Sequence, residues 1–257
     1  MLNILHSNLN VIFYVIMDIL DIFATSKPVN IAEQIYVELK RMLFDYEIVI
    51  GQKLQCQDLA DKFKVSRTPI KDALNMLEKE GYVELRHNKG YYVAEIGLKE
   101  AEELYDIREA LETFGVQKAI QNLSQDSLNL LKQTMEAYSE NVNKKELSRR
   151  RLILDADFHL KIAGISGNTS LVMMLRIIIS KIYLKHKIEN LPPQWSIMAD
   201  NEHKNIYNAI SSKNTSAAIK EIRRHIALSR NVILGPLVPE NNVKKTSTTN
   251  STPKSLR

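Results

Sequence analysis

The sequence predicts a mainly α-helical protein: an N-terminal winged helix-turn-helix (three helices plus a two-stranded wing), followed by an all-α antiparallel bundle of about six helices. Two observations on patterning support this fold class. Residues 27–97 contain three helical apolar patterns followed by two short strand-like runs. Residues 98–238 have helical patterns throughout, interrupted only by short turns. The length of 257 residues suits one large or two smaller domains, and a hydrophobic content of 44% is sufficient for a core.

The predicted elements imply four segments of chain. We expect an N-terminal extension at residues 1–26, a winged-helix domain at 27–97 and a helical domain at 98–238. Residues 239–257 are rich in Ser, Thr, Asn and Lys, a composition that predicts a disordered tail.

The first domain begins with a helix over Asn30–Phe44, whose apolar residues recur every four positions. A short helix is predicted over Gln57–Phe63 and a third over Ser66–Glu80. Ser66 is a suitable N-cap residue for the third helix, and Gly81 is suited to end it. Two strands are predicted around the turn at 86–90, and their bounds are Tyr82–Leu85 and Tyr91–Ala94.

The second domain divides into six predicted helices at approximately 98–122, 124–142, 146–165, 169–190, 194–211 and 214–233. Their short connections favour antiparallel neighbours. The arginine run at 149–151 is interpreted as a solvated helix start. The apolar residues Met173 and Met174 and the run at 177–179 are interpreted as bundle core or dimer surface.

Composition limits the classes of function only weakly. The net charge is +5, but residues 27–97 hold 11 basic and 11 acidic side chains, so any DNA-binding argument depends on local patches. The single cysteine, Cys56, cannot form an intramolecular disulfide, which fits a reducing, cytoplasmic compartment. The apolar segment Val11–Phe23 is shorter than the roughly 20 residues needed to span a bilayer, and no basic segment precedes it, so we expect no membrane association.

The third helix has two distinct faces. Its apolar residues follow the spacing i, i+3, i+4, i+7, whereas Arg67, Lys71 and Asn75 recur every four residues beside Thr68. A polar stripe of this kind suits the DNA major groove, where such side chains can hydrogen-bond to base edges. A solvated helix face would favour the same stripe, but the helix-helix-hairpin order favours DNA. The predicted wing adds basic residues and a flexible turn that suit phosphate contacts, and these are Arg86, His87, Lys89 and Gly90.

Four potential metal ligands lie on three predicted helices of the second domain. Asp155 and His159 are separated by one helical turn and therefore share a face. His203 and His225 flank the turn between the last two helices, and their offset in an antiparallel pair is only about 4.5 Å along the axis. One carboxylate and three imidazoles suit a divalent transition metal such as Zn, Ni or Mn. A single histidine on a bundle helix is more often a hydrogen-bonded core or boundary residue, and an Asp-His pair at this spacing is also found as a simple surface pair.

The stretch 35–93, and above all VSRTPIKDALNMLEKEGYVELRHNKGYYV, resembles the DNA-binding domain of the GntR family of bacterial regulators. The resemblance implies that the start of the third helix and the wing contact operator DNA, which points to Ser66, Arg67, Thr68 and Lys71, together with the wing around His87–Gly90. It also implies a DNA contact for Gln57. Lys71 stands where arginine is commoner in the family, and lysine cannot form the two-pronged hydrogen bonds of arginine.

Residues 98–232 are similar to the FCD ligand-binding domain of the FadR-type branch of that family. The similarity rests on the segments LYDIREALE and DADFHLKIAGISGN and on the pairs at 202–203 and 225–226. It implies that Asp155, His159, His203 and His225 bind a divalent metal ion. It further implies that Arg108 binds the carboxylate of an effector, although an ion pair with Glu112 explains this arginine equally well.

These observations predict a ligand-responsive, homodimeric transcription regulator, with repression as the expected mode of action. Its partners would be double-stranded operator DNA and a small carboxylate effector. The chain has no Gly-rich phosphate loop and no nucleophile motif, so we expect no catalytic activity. The alternatives are a metal-dependent, hydrolase-like enzyme that activates water at the Asp-His site, and a helical adaptor that binds protein rather than DNA.

Overall fold

A computed structural model describes residues 30–143, 149–184 and 193–234. The predicted extension at 1–26 and the predicted tail at 239–257 lie outside these residues, as does most of the connection around Pro192. The described part of the chain folds as a winged helix-turn-helix followed by a bundle of helices, so the predicted fold class is confirmed.

The winged helix contains three helices and a small sheet. The helices are α1 (Ile31–Phe44), α2 (Cys56–Phe63) and α3 (Arg67–Lys79). Asn30 begins α1 by accepting a hydrogen bond from the Glu33 backbone. Lys64 ends α2 with a left-handed backbone, φ 55°, which turns the chain sharply toward α3. The apolar face of α3 is completely buried against its neighbours, and its members are Ile70, Ala73, Leu74 and Leu77.

The sheet differs from the predicted wing in having three strands. They are β1 (Lys53–Leu54), β2 (Val83–Arg86) and β3 (Gly90–Val93), in the antiparallel order β1-β3-β2. The prediction of two strands was incomplete because a two-residue strand is too short to show an alternating pattern. The central position of β3 fixes the base of the wing on both sides.

Within the described residues, the bundle contains six helices. They are α4 (Leu98–Gln121), α5 (Gln125–Asn143), α6 (Arg149–Ile165), α7 (Thr169–Leu184), α8 (Pro193–Ser211) and α9 (Thr215–Leu234). Gly115 on α4 lets α7 approach closely, because a Cβ there would lie 3.4 Å from Leu171 Cδ2. The predicted break at Gly167-Asn168 is a turn in which Gly167 has φ 72°. Trp195, near the start of α8, is buried in the bundle core.

One residue of the bundle packs into the winged helix. Ile153 on α6 is 5% exposed and belongs to the apolar cluster formed by α1, α3 and the sheet. Conversely, Tyr46, which follows α1, packs against the core of the bundle. Helix α6 therefore contacts the core of both domains.

Candidate metal centre and nucleic-acid interface

The four predicted metal ligands converge inside the bundle. Asp155 and His159 project from α6, His203 from α8 and His225 from α9, and all four are at most 1% exposed. One possible ligand atom from each residue lies within 4.8 Å of the others. His159 Nε2 is 3.0 Å from His225 Nε2, and His203 Nε2 is 3.2 Å from Asp155 Oδ1. The helical offset inferred from the sequence therefore does bring these side chains together.

Two carboxylates orient the imidazoles from behind. Glu112 on α4 accepts from His159 Nδ1 at 2.6 Å, and Glu202 on α8 accepts from His225 Nδ1 at 2.8 Å. A histidine whose Nδ1–H is held by a carboxylate presents the lone pair of Nε2 to the opposite side. For His159 and His225 that opposite side is the point where the four side chains meet.

The chemistry of this group fits a divalent metal ion. Asp155 Oδ1 and His203 Nε2 are buried and have no hydrogen-bond partner, although they lie only 3.2 Å apart. Unpartnered buried polar atoms are costly, and coordination of one ion would satisfy both. Burial alone would raise the pKa of the Asp155 carboxyl. The three nearby imidazoles have the larger effect, and the pKa of Asp155 lies well below its usual value. Burial also lowers the pKa of His203 and His225, which favours the neutral imidazoles that metals require.

Arg108 lies beside this group, and both interpretations of it agree with the structure. Its Nε donates to Glu112 Oε1 at 2.6 Å, as the ion-pair interpretation requires. Its Nη1 and Nη2 have no hydrogen-bond partner, although the side chain is completely buried. Nη2 lies 3.9 Å from Asp155 Oδ2. The guanidinium thus keeps two free donors near the metal ligands, an arrangement suited to a carboxylate.

Sequence reasoning did not assign three residues that complete this site. Glu112 entered only as an ion-pair partner of Arg108, whereas it also holds His159. The sequence indicated Glu202 only as the residue before His203, yet its carboxylate contacts His225, 23 residues away. Tyr183 on α7 donates its hydroxyl proton to Asp155 Oδ2. Among these contacts, the sequence could indicate only the one between Arg108 and Glu112, which are four residues apart on one helix. The other contacts join separate helices.

The interpretation of the arginine run at 149–151 as a solvated helix start is wrong for Arg151. Arg151 is only 4% exposed, and its side chain bonds to residues of α5 and α8. The interpretation was wrong at this position because Arg151 lies one turn before Asp155 on the same inward face of α6. The side chains of Arg149 and Arg150 lie outside the described part of the chain.

The residues predicted to contact DNA lie on α2, on α3 and its N-cap, and on the wing. All except Gly90, which is half-buried, are exposed, and they are Gln57, Ser66, Arg67, Thr68, Lys71, His87 and Lys89. Within the described residues, neither Arg67 nor Lys71 forms an ion pair, so both charges remain available. The Ser66 hydroxyl makes no capping hydrogen bond to α3, although Ser66 occupies the N-cap position.

The wing is held against α3 by a side-chain hydrogen bond. Tyr91 on β3 donates to Asn75 Oδ1 at 2.6 Å, so this member of the polar stripe has a structural partner. Asn88, with φ 57°, and Gly90, with φ 92°, form the left-handed turn at the tip of the wing. Arg86 stacks on Tyr92 and pairs with Glu84, which leaves His87 and Lys89 as the projecting basic residues.

Comparison with known families explains the combination of an exposed basic helix and a buried ligand group. Residues 31–93 match the model described as bacterial regulatory proteins, gntR family, and residues 103–228 match the FCD domain. The chain belongs to the GntR family of bacterial regulatory proteins. The match makes it a GntR-type transcriptional regulator with an FCD domain rather than an enzyme, so the hydrolase alternative is discarded.

Relatives of this GntR-type regulator align with about four fifths of its length. It is 26% identical over 206 residues to an uncharacterized HTH-type transcriptional regulator, YdhC, of Bacillus subtilis, covering 80% of this chain and 92% of that protein. It is 24% identical over 204 residues to the HTH-type transcriptional repressor RspR of Escherichia coli, covering 78% and 87%. The structure of E. coli McbR/YncC has the same fold, with a TM-score of 0.67 and 20% identity over 81% of this chain and 99% of that one. Within the described residues of the regulator, no helix has the length and apolarity needed to cross a membrane.

Proposed function

We propose that this GntR-family protein is a cytoplasmic, homodimeric repressor whose DNA affinity is controlled by a small carboxylate effector bound beside a divalent metal ion. The observation that carries the proposal is the buried group of Asp155, His159, His203 and His225, with two free Arg108 donors next to it. Repression is consistent with the relative RspR, which is named a repressor.

DNA binding would use α3 and the wing. Arg67 and Lys71 are exposed, carry no ion pair within the described residues and lie in the N-terminal half of a helix whose other face is buried. Such a helix can enter the major groove with its basic residues toward base edges, while Lys89 and His87 contact phosphates. Gln57, Ser66 and Thr68 would add polar contacts, and Gly90 would let the wing turn near the DNA backbone.

The effector site would use the metal ligands together with Arg108. A bound metal ion supplies positive charge and coordination positions that can receive a carboxylate. Glu112 holds both His159 and the Arg108 Nε, so one carboxylate fixes a metal ligand and the proposed effector donor in the same orientation. Zn, Ni and Mn all suit one carboxylate and three imidazoles, with zinc the natural first test.

Helix α6 provides a physical connection between the two sites. It carries Asp155 and His159 at the metal group and Ile153 in the winged-helix core. An effector can change DNA affinity only if it binds two arrangements of the protein unequally. We propose that a shift of α6 on effector binding repositions the winged helix, because Ile153 is packed into that domain.

Homodimer formation would use an apolar surface on α4 and α7. Phe114 on α4 and Met173, Met174 and Ile177 on α7 are large apolar side chains that are 46–62% exposed. The two helices pack against each other at Gly115 and Leu171, and contiguous exposed apolar surface of this kind marks interfaces. Two copies would present two α3 helices to a pseudo-palindromic operator.

The proposal is tested on the purified full chain. Metal content is measured by elemental analysis, and operator duplexes are selected from a randomised library and titrated by fluorescence anisotropy, with and without small carboxylic acids. We expect about one zinc, nickel or manganese per chain, salt-dependent DNA binding, and at least fivefold weaker binding when an effective acid is present. A DNA affinity that no acid alters would contradict the effector-controlled function, and a metal-free native protein would contradict the metal site.

A further inference from the structure

Arg151 is a buried cation with only neutral hydrogen-bond partners. It is 4% exposed, its Nη1 donates to Ser196 Oγ at 2.9 Å, and its Nε donates to Asn141 Oδ1 at 3.1 Å. Its Nη2 makes a long contact of 3.5 Å with the Asn141 backbone oxygen. No carboxylate of the described residues pairs with it. Buried charges are costly unless paired, so a guanidinium in this setting is suited to an anion that comes from outside the chain.

Tyr138 adds a second buried polar group beside the metal ligands. Its side chain on α5 is completely buried, and its hydroxyl forms no hydrogen bond to the described residues. The edge of its ring contacts the His203 imidazole, with ring centroids 4.7 Å apart. Tyr138 lies three residues before Asn141, the α5 residue that accepts from Arg151 Nε, so Tyr138 and the contact with Arg151 share one face of α5.

The position of Arg151 relates this pair to the effector site. Arg151 and Asp155 are one turn apart on α6, which is roughly 6 Å along the helix axis. Arg108, whose Nη1 and Nη2 form no hydrogen bond to the described residues, approaches Asp155 from α4. Three further side chains thus lie near the metal ligands, and they are Arg108 on α4, Tyr138 on α5 and Arg151 on α6.

We propose that Tyr138 and Arg151 form a second anion subsite in the effector pocket, and that the effector is a small acid with two carboxylates. This inference rests on the proposed function, because it assumes that an acid binds beside the metal ion. One carboxylate lies at the metal and Arg108, and the other accepts hydrogen bonds from the Tyr138 hydroxyl and the Arg151 guanidinium. A purely structural Arg151 would connect α5 to α8 through hydrogen bonds to neutral acceptors, which leaves its buried charge without a counter-charge among the described residues.

The test compares acids that differ by one carboxylate. Malate is paired with 2-hydroxybutyrate, and 2-hydroxyglutarate with 2-hydroxyvalerate. Each is titrated calorimetrically into the zinc-loaded full chain. Three variants are compared with the wild type: Tyr138→Phe, Arg151→Gln and the control Arg223→Gln, which removes an exposed guanidinium paired with Glu109. Tyr138→Phe is the sharper variant because it removes no hydrogen bond within the protein.

We expect at least one dicarboxylate to bind tenfold or more tightly than its monocarboxylate match. Tyr138→Phe and Arg151→Gln should each weaken dicarboxylate binding about tenfold and change monocarboxylate binding less than twofold, with zinc content unchanged. Equal affinity within both pairs, equal losses for both acid classes in Tyr138→Phe, or no dicarboxylate binding at all would overturn the second subsite.

A parallel titration of DNA separates this inference from the proposed function. Release of DNA by a monocarboxylate as effective as its dicarboxylate match would leave the effector function standing and refute the second subsite. Selective dicarboxylate binding that leaves DNA affinity unchanged would support the subsite and refute effector control of DNA binding.

Discussion

The contact between Glu202 and His225 predicts a measurable loss of metal affinity when its charge is removed. Glu202 Oε2 accepts from His225 Nδ1 at 2.8 Å, and burial raises the pKa of Glu202 to about 7. The carboxylate fixes the imidazole orientation and increases the basicity of Nε2. In Glu202→Gln the geometry can persist, but the negative charge behind the ligand is lost. Loss of such a supporting partner lowers metal affinity by about 10–100-fold, or about 1.4–2.7 kcal/mol.

The consequence for thermal stability follows from this affinity. At a free zinc concentration 100 times the wild-type dissociation constant, bound zinc stabilises the wild type by about 2.7 kcal/mol. At the same concentration the variant gains only about 0.4–1.4 kcal/mol. A domain of this size shifts by roughly 2–4 °C per kcal/mol, so the zinc-induced rise in Tm should be about 3–9 °C smaller in the variant.

Competition with a chromophoric chelator at pH 8 and thermal unfolding with and without zinc measure the two quantities. Glu109→Gln serves as the control, because Glu109 pairs with Arg223 on the exposed side of the bundle. The control should retain wild-type zinc affinity. The reasoning is refuted if Glu202→Gln binds zinc within twofold of the wild type and shows the same rise in Tm.

Three further predictions concern other parts of the molecule. Arg67→Ala should weaken operator binding by about 1–3 kcal/mol in an anisotropy titration. The control Lys99→Ala, which removes an exposed side chain at the start of α4, should leave operator affinity unchanged. Equal affinities of the two variants would contradict the assigned DNA-binding residues. Ile177→Glu should convert the proposed dimer to a monomer in light scattering, and an unchanged dimer mass would exclude the α7 surface as the interface. Burial lowers the pKa of Lys40 to about 8, although the nearby Glu80 carboxylate acts in the opposite direction. Above pH 8 the folded chain therefore releases the Lys40 proton, whereas the unfolded chain retains it. Wild-type stability relative to Lys40→Met should therefore rise by about 1–2 kcal/mol from pH 8 to 9.5 in urea unfolding, and a flat or falling difference would disprove this.

Local patterns identified most of the architecture. The apolar spacing of the third helix placed it over Ser66–Glu80. In the structure the helix spans Arg67–Lys79, with Ser66 as its N-cap and Glu80 as its C-cap. The same spacing placed six bundle helices close to their observed bounds. These features are predictable because helical periodicity and capping depend on residues within a few positions of one another. Strand β1 was missed because its pairing with β3 joins residues almost 40 positions apart.

The candidate site divides in the same way between local and distant information. Asp155 and His159 share one face of one helix, and a short hairpin relates His203 to His225, so spacing along the chain was sufficient to relate the members of each pair. The family resemblance was needed to assign all four residues to one metal site. Which carboxylate orients each imidazole, why Arg151 is buried, and why Tyr138 has no partner depend on contacts among α4, α5, α6, α8 and α9. The sequence by itself determined the ligand types, the helices that carry them and the family. Only the tertiary structure decided the environment of each charged group, because burial and partnership arise from the packing of helices that lie far apart along the chain.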